Sequence, residues 1–434
     1  MKLNIISKQR KKETLKNLKE FRKAFRTNFR KNKIYKMIEK MPLNLNKYLT
    51  KYSTGGIIKK YPEDFIVEEI TEDGIVLEVG KEIGFKDEEN WNGSFIHFTL
   101  EKKNWNTLDA IREIAKQTKS KRKNFGFAGT KDKFAITTQR VGCFGVSIED
   151  LKKVNIPNIT LRDFQKTNKK LKIGCLWGNR FTIKVRDVEV DKSELDNILK
   201  ELSKLKYVLN YFGIQRFGSV RPITHVVGKF IVQRDFESAF YAYCGTPLPY
   251  DGEKSKEARS LVDEGKFKEA LKIYPRIFYY EKRMIKYYLK HRDYKKSFNV
   301  LPPQLKSMFV NAYQSYLFNE MINERYKYGF EPLEGDILKD GLPTGALIGY
   351  NSKFADGIQG EIERDILERE GIKLEDFKIK GFGNFFGDRR PLIARIYDLE
   401  YRIDDDGYVL RFKLEKGTYA TSVLREFIDK KINI

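Results

Sequence analysis

The run Gly178-Asn179-Arg180-Phe181-Thr182-Ile183-Lys184-Val185-Arg186 alternates without a break, with Phe181, Ile183 and Val185 in one phase and Arg180, Lys184 and Arg186 in the other. Successive side chains of a strand point to opposite faces, so the chain must contain a sheet with one apolar face on a core and one charged face. The same period returns at Phe65 to Val67, at Ile96, Phe98 and Leu100, and at Tyr408, Leu410, Phe412 and Leu414. Between these segments the period becomes helical. Asn106 or Thr107 caps a stripe of Leu108, Ile111, Ile114 and Ala115, and a second stripe of Leu195, Ile198, Leu199 and Leu202 follows in 193–205. A last helix is expected over 420–430. Strands alternating with helices predict an α+β fold rather than a helical bundle.

From about Ser219 the strand pattern fades, and helical segments run through 236–243, 255–264, 267–274 and 305–328; strands resume near Arg390. Strand-rich ends around a helical middle predict one sheet domain, 46–218 with 386–434, interrupted by an insertion at 219–385. A cleft between two such lobes is a common place for a ligand.

Residues 1–45 are set apart by charge. The chain carries 84 Lys and Arg against 60 Asp and Glu, a net +24, and residues 1–40 alone hold 15 Lys or Arg against three Glu. An excess of that size on a chain with ample apolar content points to a polyanionic partner, nucleic acid first. Leu15, Leu18, Phe21 and Phe25 recur at helical spacing, so the segment reads as a basic amphipathic arm for phosphates. The three cysteines and three histidines are scattered, which supports neither a zinc ribbon nor a disulfide framework. No run reaches the roughly 18 apolar residues of a membrane span, and no signal-peptide pattern opens the chain, so a soluble, cytoplasmic protein is expected.

The best candidate for chemistry is the loop Gly129-Thr130-Lys131-Asp132-Lys133-Phe134, which precedes a β-branched run from Ile136. A cation beside a carboxylate favours its ionised form, the form a nucleophile needs, and Asp132 stands between two lysines. Taken alone, the same residues also make an ordinary turn.

Six segments carry a resemblance. Lys59-x-x-Pro62-Glu63-Asp64-Phe65, Gly129-Thr130-Lys131-Asp132-x-x-Ala135-x-Thr137-x-Gln139, Gly178-Asn179-Arg180-Phe181, Asn210 to Gly218, Gln314-Ser315-x-x-Phe318-Asn319 and Gly417 to Glu426 occur in the order of the TruD family of tRNA pseudouridine synthases. The resemblance covers roughly 55–434 and leaves out the arm. It implies a pseudouridine-synthase catalytic domain with a mixed, mainly antiparallel sheet flanked by helices, interrupted by a mostly helical α/β TRUD domain. It also implies a reaction without cofactor or metal, in which one uracil is detached at N1, rotated, and rejoined through C5. The substrate expected is tRNA, at uridine 13, for a monomer needing no protein partner or membrane.

By the same resemblance Asp132 is the nucleophile and Lys59, rather than Lys60, the cation that pairs with it. Asn179 and Phe181 resemble the pair that holds the target nucleotide, although Phe181 lies in the apolar phase of its strand, where the pattern alone favours a core ring. Lys131, Arg216 and Arg425 are further candidates for substrate contact, with a structural salt bridge open for Arg425. The Gln314 to Asn319 segment reads as a packing seam. Two departures stand beside the site: Lys133-Phe134 where the family often has two basic residues, and Glu415-Lys416 in place of a proline-containing turn. A noncatalytic RNA-binding or RNA-remodelling protein is the rival reading.

Overall fold

The alternating segments become strands of one mixed sheet in the computed structural model, which describes residues 27–429. In chain order the strands of this part are β1 Ile57–Ile58, β2 Phe65–Ile70, β3 Phe95–Lys103, β4 Phe125–Phe127, β5 Ile136–Phe144, β6 Ile159–Thr167 and β7 Gly178–Arg186. Tyr397–Asp404 and Gly407–Glu415 complete it. The order across the sheet is Tyr397–Asp404, Gly407–Glu415, β7, β2, β5, β3, β6, with β1 beside β7 and β4 beside β5. Only β2 and β5 run parallel among the described pairs, with Val67 opposite Thr137.

One face of this sheet carries two separate apolar clusters. Phe65 and Val67 stand opposite Ile183 and Phe181, which stand opposite Leu410 and Phe412. The helices Lys192–Leu202 and Ala420–Ile428 close over them. Farther along the same face, Ile96, Phe98 and Leu100 pack with Val141, Cys143 and the helix Thr107–Gln117. Each side chain so buried contributes roughly 1.5–3 kcal/mol. In that helix Leu108 is 39% exposed and Ala110 fully buried, contrary to the expected stripe. Thr107 takes the inward slot one turn before Ile111, which leaves Leu108 off the stripe.

A helical unit is built separately from Tyr211–Leu392 and residues 27–45. Its helices include Thr224–Val232, Phe236–Cys244, Glu253–Asp263, Phe267–Ile273, Tyr279–His291, Pro303–Arg325 and Gly357–Glu370. A small sheet pairs Leu342–Leu347 with Asp388–Pro391 and Leu338–Lys339. Sequence periodicity leaves Thr224–Val232 unassigned, because every residue of that helix is buried and no polar face marks its turn. A Cβ on Gly228 would lie 2.0 Å from the Phe309 carbonyl oxygen, so glycine there permits the close approach to Pro303–Arg325.

The division between units falls after Asn210 and after Leu392, whereas the sequence places it at 218 and 385. Tyr211, Phe212 and Phe217 are buried, and the Asn319 amide exchanges bonds of 2.9 and 3.0 Å with the Phe212 backbone. The arm also differs from expectation where it is described. Residues 27–40 are helical, Ile34 and Met41 are buried, and Arg30 lies 3.3 Å from the Tyr241 ring centroid while donating to the Asp263 carbonyl at 2.8 Å. This portion is a docked element of the helical unit. The expected amphipathic stretch from Leu15 to Phe25 lies outside the described residues.

Candidate active site

Polar residues interrupt the apolar phase of four strands on the same sheet face. In β2 the phase Phe65, Val67 continues to Glu69; in β3, Ile96, Phe98, Leu100 continues to Lys102. In β5, Val141 and Cys143 share their phase with Thr137 and Gln139, and in β7, Phe181 and Ile183 share theirs with Asn179. Register sets Glu69 opposite Asn179 and Leu100 opposite Gln139. A polar seam therefore runs between the two apolar clusters, and the loop from Gly129 to Phe134 crosses it.

Hydrogen bonds fix that loop from below. Thr107 Oγ1 donates to Gln139 Oε1 at 2.8 Å and accepts from the Lys131 backbone N–H at 3.0 Å, while Gln139 Nε2 donates to the Gly129 carbonyl at 3.0 Å. Lys102 Nζ donates to the carbonyls of Asp132 and Trp105 at 2.9 and 2.6 Å. Burial pushes the Lys102 ammonium down to about 8, with Asp132 opposing that shift and Lys131 adding to it. Its neutral form still has two N–H groups for the two carbonyls.

Lys131 is turned inward. Its Nζ lies 2.8 Å from Glu69 Oε2 and donates to Asn179 Oδ1 at 2.5 Å, with the lysine side chain 5% exposed and the glutamate 1%. The other Glu69 oxygen accepts from the Arg140 backbone N–H at 3.0 Å. A buried pair of this kind needs such extra bonds, because desolvation offsets much of its attraction. The cation also settles the Asn179 amide: Oδ1 must face the ammonium, so Nδ2 points away and meets no protein acceptor among the described residues.

Asp132 differs from the groups beneath it in being exposed. Its Oδ2 accepts from Lys59 Nζ at 2.7 Å. Of the two lysines that flank it in sequence, Lys131 is engaged inside, and the cation that reaches the carboxylate is Lys59, the residue the resemblance pairs with it, from 73 residues upstream. Lys60 pairs instead with Asp187 at 2.9 Å. Lys59 has φ 58°, a left-handed conformation that a non-glycine residue adopts at a cost of roughly 1–3 kcal/mol. The turn after it is held by Asp64, which accepts from the Tyr61 backbone N–H at 2.9 Å and pairs with Arg186 at 2.8 Å. The Lys59 ammonium also lies 4.0 Å from the Phe65 ring centroid.

Phe181 stands on this aromatic path. Its ring stacks on Phe412 at 5.4 Å and 25° and meets Phe65 edge-on at 6.4 Å. At 7% exposure it belongs to the core cluster, two residues from Asn179 on one strand face. Gly178 precedes them without a Cβ because one would lie 2.0 Å from the Leu414 carbonyl oxygen.

Two other candidates have protein partners of their own. Arg425 donates from Nη1 to the Lys47 carbonyl at 2.8 Å and lies 4.2 Å from the Tyr48 ring centroid, so it pins the start of the sheet unit to the last helix. Arg216 belongs to the helical unit, where its Nε donates to Ser315 Oγ at 3.0 Å. Conversely, Glu69, Lys102 and Thr107 escape a reading by motif. Glu69 and Lys102 do carry a signal: each is a charge in the apolar phase of a strand.

Comparison with known proteins converges on one family. The family model for tRNA pseudouridine synthase D (TruD) matches residues 42–342 and 338–427. A Methanocaldococcus jannaschii protein named "Probable tRNA pseudouridine synthase D 1" is 67% identical over 391 residues, 90% of this chain and all of the relative. A Methanococcus maripaludis protein named "Probable tRNA pseudouridine synthase D 2" is 63% identical over 388 residues, 89% of this chain and 99% of that one. A Methanosarcina mazei crystal structure bearing the TruD name matches with a TM-score of 0.74 and 35% identity, over 90% of this chain and 97% of that one.

Proposed function

The chain belongs to the tRNA pseudouridine synthase D (TruD) family, and from that premise we propose that it converts uridine 13 of tRNA to pseudouridine with Asp132 as nucleophile. The observation that carries this reading is the contrast within the seam. Glu69, Lys102 and Lys131 are buried and bonded, whereas Asp132 stands exposed with one cation on its carboxylate. Binding RNA requires phosphates to be neutralised, and an exposed carboxylate works against that. A nucleophile requires it.

The net reaction breaks the ribose C1′–N1 bond, makes a C1′–C5 bond and moves one proton from C5 to N1, so it is redox-neutral. Lys59 holds and aims the Asp132 carboxylate through its 2.7 Å hydrogen bond. The target base must leave its stack, at a cost of a few kcal/mol that an aromatic ring helps offset. Phe181 supplies that ring. Asn179, whose Nδ2 is turned away from Lys131, supplies donors that match the carbonyl oxygens of uracil. Lys131 acts through Asn179 rather than by touching RNA.

The test of position is direct. Unmodified tRNA transcripts should gain pseudouridine at nucleotide 13, and transcripts with cytidine there should gain none. Product at a different uridine in the altered transcript would refute the assignment of position while leaving the reaction class standing.

A further inference from the structure

The acidic residues of the sheet unit are distributed unevenly. Between Glu113 and Asp132 the chain contains no Asp or Glu, and between Asp163 and Asp187 there is again none. These two stretches meet at β4. Lys121, Arg122 and Lys123 lead directly into it. The second stretch packs along its backbone: Gly174 N donates to the Ala128 carbonyl at 2.8 Å, and a Cβ on Gly126 would lie 2.3 Å from the Leu171 carbonyl oxygen. That packing holds the loop bearing Lys169, Lys170 and Lys172 against the strand. All six cations are exposed. None has an ion-pair partner among the described residues, whereas some exposed lysines elsewhere in this unit, Lys60 and Lys200 among them, do.

Gathering like charges costs free energy in the isolated protein, and an anion laid across them relieves it. β4 ends just before the loop that presents Asp132. We propose that these two loops form an RNA-docking surface that holds phosphates of the strand carrying the target uridine, separate from the residues that recognise the base. The proposal rests on the tRNA reading above. Phosphate contacts position a nucleic acid without reading its sequence, so the surface sets affinity and not the choice of uridine. Its place beside a site for a nucleobase favours RNA over an anionic membrane.

The experiment compares the full-length protein with a variant in which all six residues are glutamine. A control changes Lys268, Lys286 and Lys290, exposed lysines of the helical unit, to glutamine. Titrations of unmodified tRNA over a salt series give the slope of log K against log salt, which falls by about 0.7 to 0.9 for each phosphate that the protein no longer neutralises. The six-residue variant should lower that slope by about 3 or more and raise KM at least about tenfold near physiological salt, with kcat at saturating tRNA and the modified position unchanged. The control should move the slope by less than about 1. An unchanged slope and KM in the six-residue variant would overturn the proposal. So would an equal effect in the control, or a loss confined to binding of vesicles containing phosphatidylserine. If the wild-type protein forms no pseudouridine at all, the proposed function fails, and the salt slopes still decide whether this surface holds RNA.

Discussion

Both units bury charge, and they do so to different ends. In the helical unit Arg325 pairs with Asp336 at 2.6 Å, with side chains 0% and 1% exposed, and donates to the carbonyls of Gly329 and Glu331. Gln314 donates to the carbonyls of Ile348 and Phe386. These side chains close loops onto the helix Pro303–Arg325 that carries them. In the sheet unit the Glu69–Lys131 pair instead supports a loop whose Asp132 stays exposed, and it orients Asn179. Burial of a charge alone does not set a site apart; in the sheet unit the difference is the exposed carboxylate beside the buried pair.

The largest expected effects compare the two buried pairs directly. Lys131→Met and Arg325→Met each leave a carboxylate buried and unpaired, and each should cost about 3–5 kcal/mol in urea unfolding. Single-turnover rates on the folded fraction should separate them, with Lys131→Met slow and Arg325→Met normal. A slowed chemical step in Arg325→Met would break the contrast.

Next in size are the two stacked rings. Phe181→Leu and Phe412→Leu should both destabilise by less than the roughly 3–5 kcal/mol of a Phe→Ala truncation. Only the first should lower kcat/KM strongly, by about one to two orders of magnitude, since stacking is worth about 1–3 kcal/mol per base. Near-normal turnover in Phe181→Leu would return that ring to a purely structural role.

pH should sharpen the comparison further. Burial lowers His97 in the sheet unit and His225 in the helical unit to about 4 each. The unfolded chain takes up these protons near its ordinary value of 6.5, before the folded protein does, so stability present above 6.5 falls as pH drops toward 4. The loss approaches a few kcal/mol for each. His97→Phe and His225→Phe should each flatten the acid limb of a thermal-stability profile. His225 also stacks on Tyr316 and donates from Nε2 to the Met41 carbonyl at 2.9 Å, so its variant should loosen the docked N-terminal segment in hydrogen exchange. Lys102 follows the same sign in an alkaline window. Between about 8 and its ordinary 10.5 the folded protein gives up a proton that the unfolded chain keeps, so stability rises with pH there. Lys102→Met should abolish that rise, and its persistence would mean that another group titrates.

The smallest stability effect belongs to Lys59→Met, under about 1 kcal/mol, because the pair with Asp132 is partly exposed. Turnover should nevertheless fall by about 10²-fold or more, as expected when a preorganised charge is removed. A variant that is stable and fully active would remove Lys59 from the mechanism.

Much of the sheet was legible in the sequence because a period of two needs only local residues. Phe181, Ile183 and Val185 lie inward as read, as do Tyr408, Leu410, Phe412 and Leu414. The helix Thr224–Val232 was illegible, since a segment buried on all sides has no polar phase. Within the candidate site, Asp132, Lys59, Asn179 and Phe181 were singled out through motifs, and the structure bonds Lys59 to Asp132 and sets Asn179 two residues from Phe181 on one strand, whereas Lys131 was assigned to the substrate and lies inward on Glu69. That inversion is physical: adjacency in sequence says nothing about which neighbour a side chain meets across a sheet. Arg216 and Arg425 show the same limit, because an arginine in a motif serves a backbone carbonyl or a hydroxyl as readily as a phosphate.

The central claim is that Asp132 performs the chemistry that the surrounding seam only supports. It is tested most directly by mapping pseudouridine, nucleotide by nucleotide, in unmodified tRNA incubated with the purified protein and with Asp132→Asn. The account predicts product at one uridine from the wild-type protein and none from the variant, with tRNA affinity retained. Product from the variant at the wild-type rate would contradict it and move the nucleophile elsewhere.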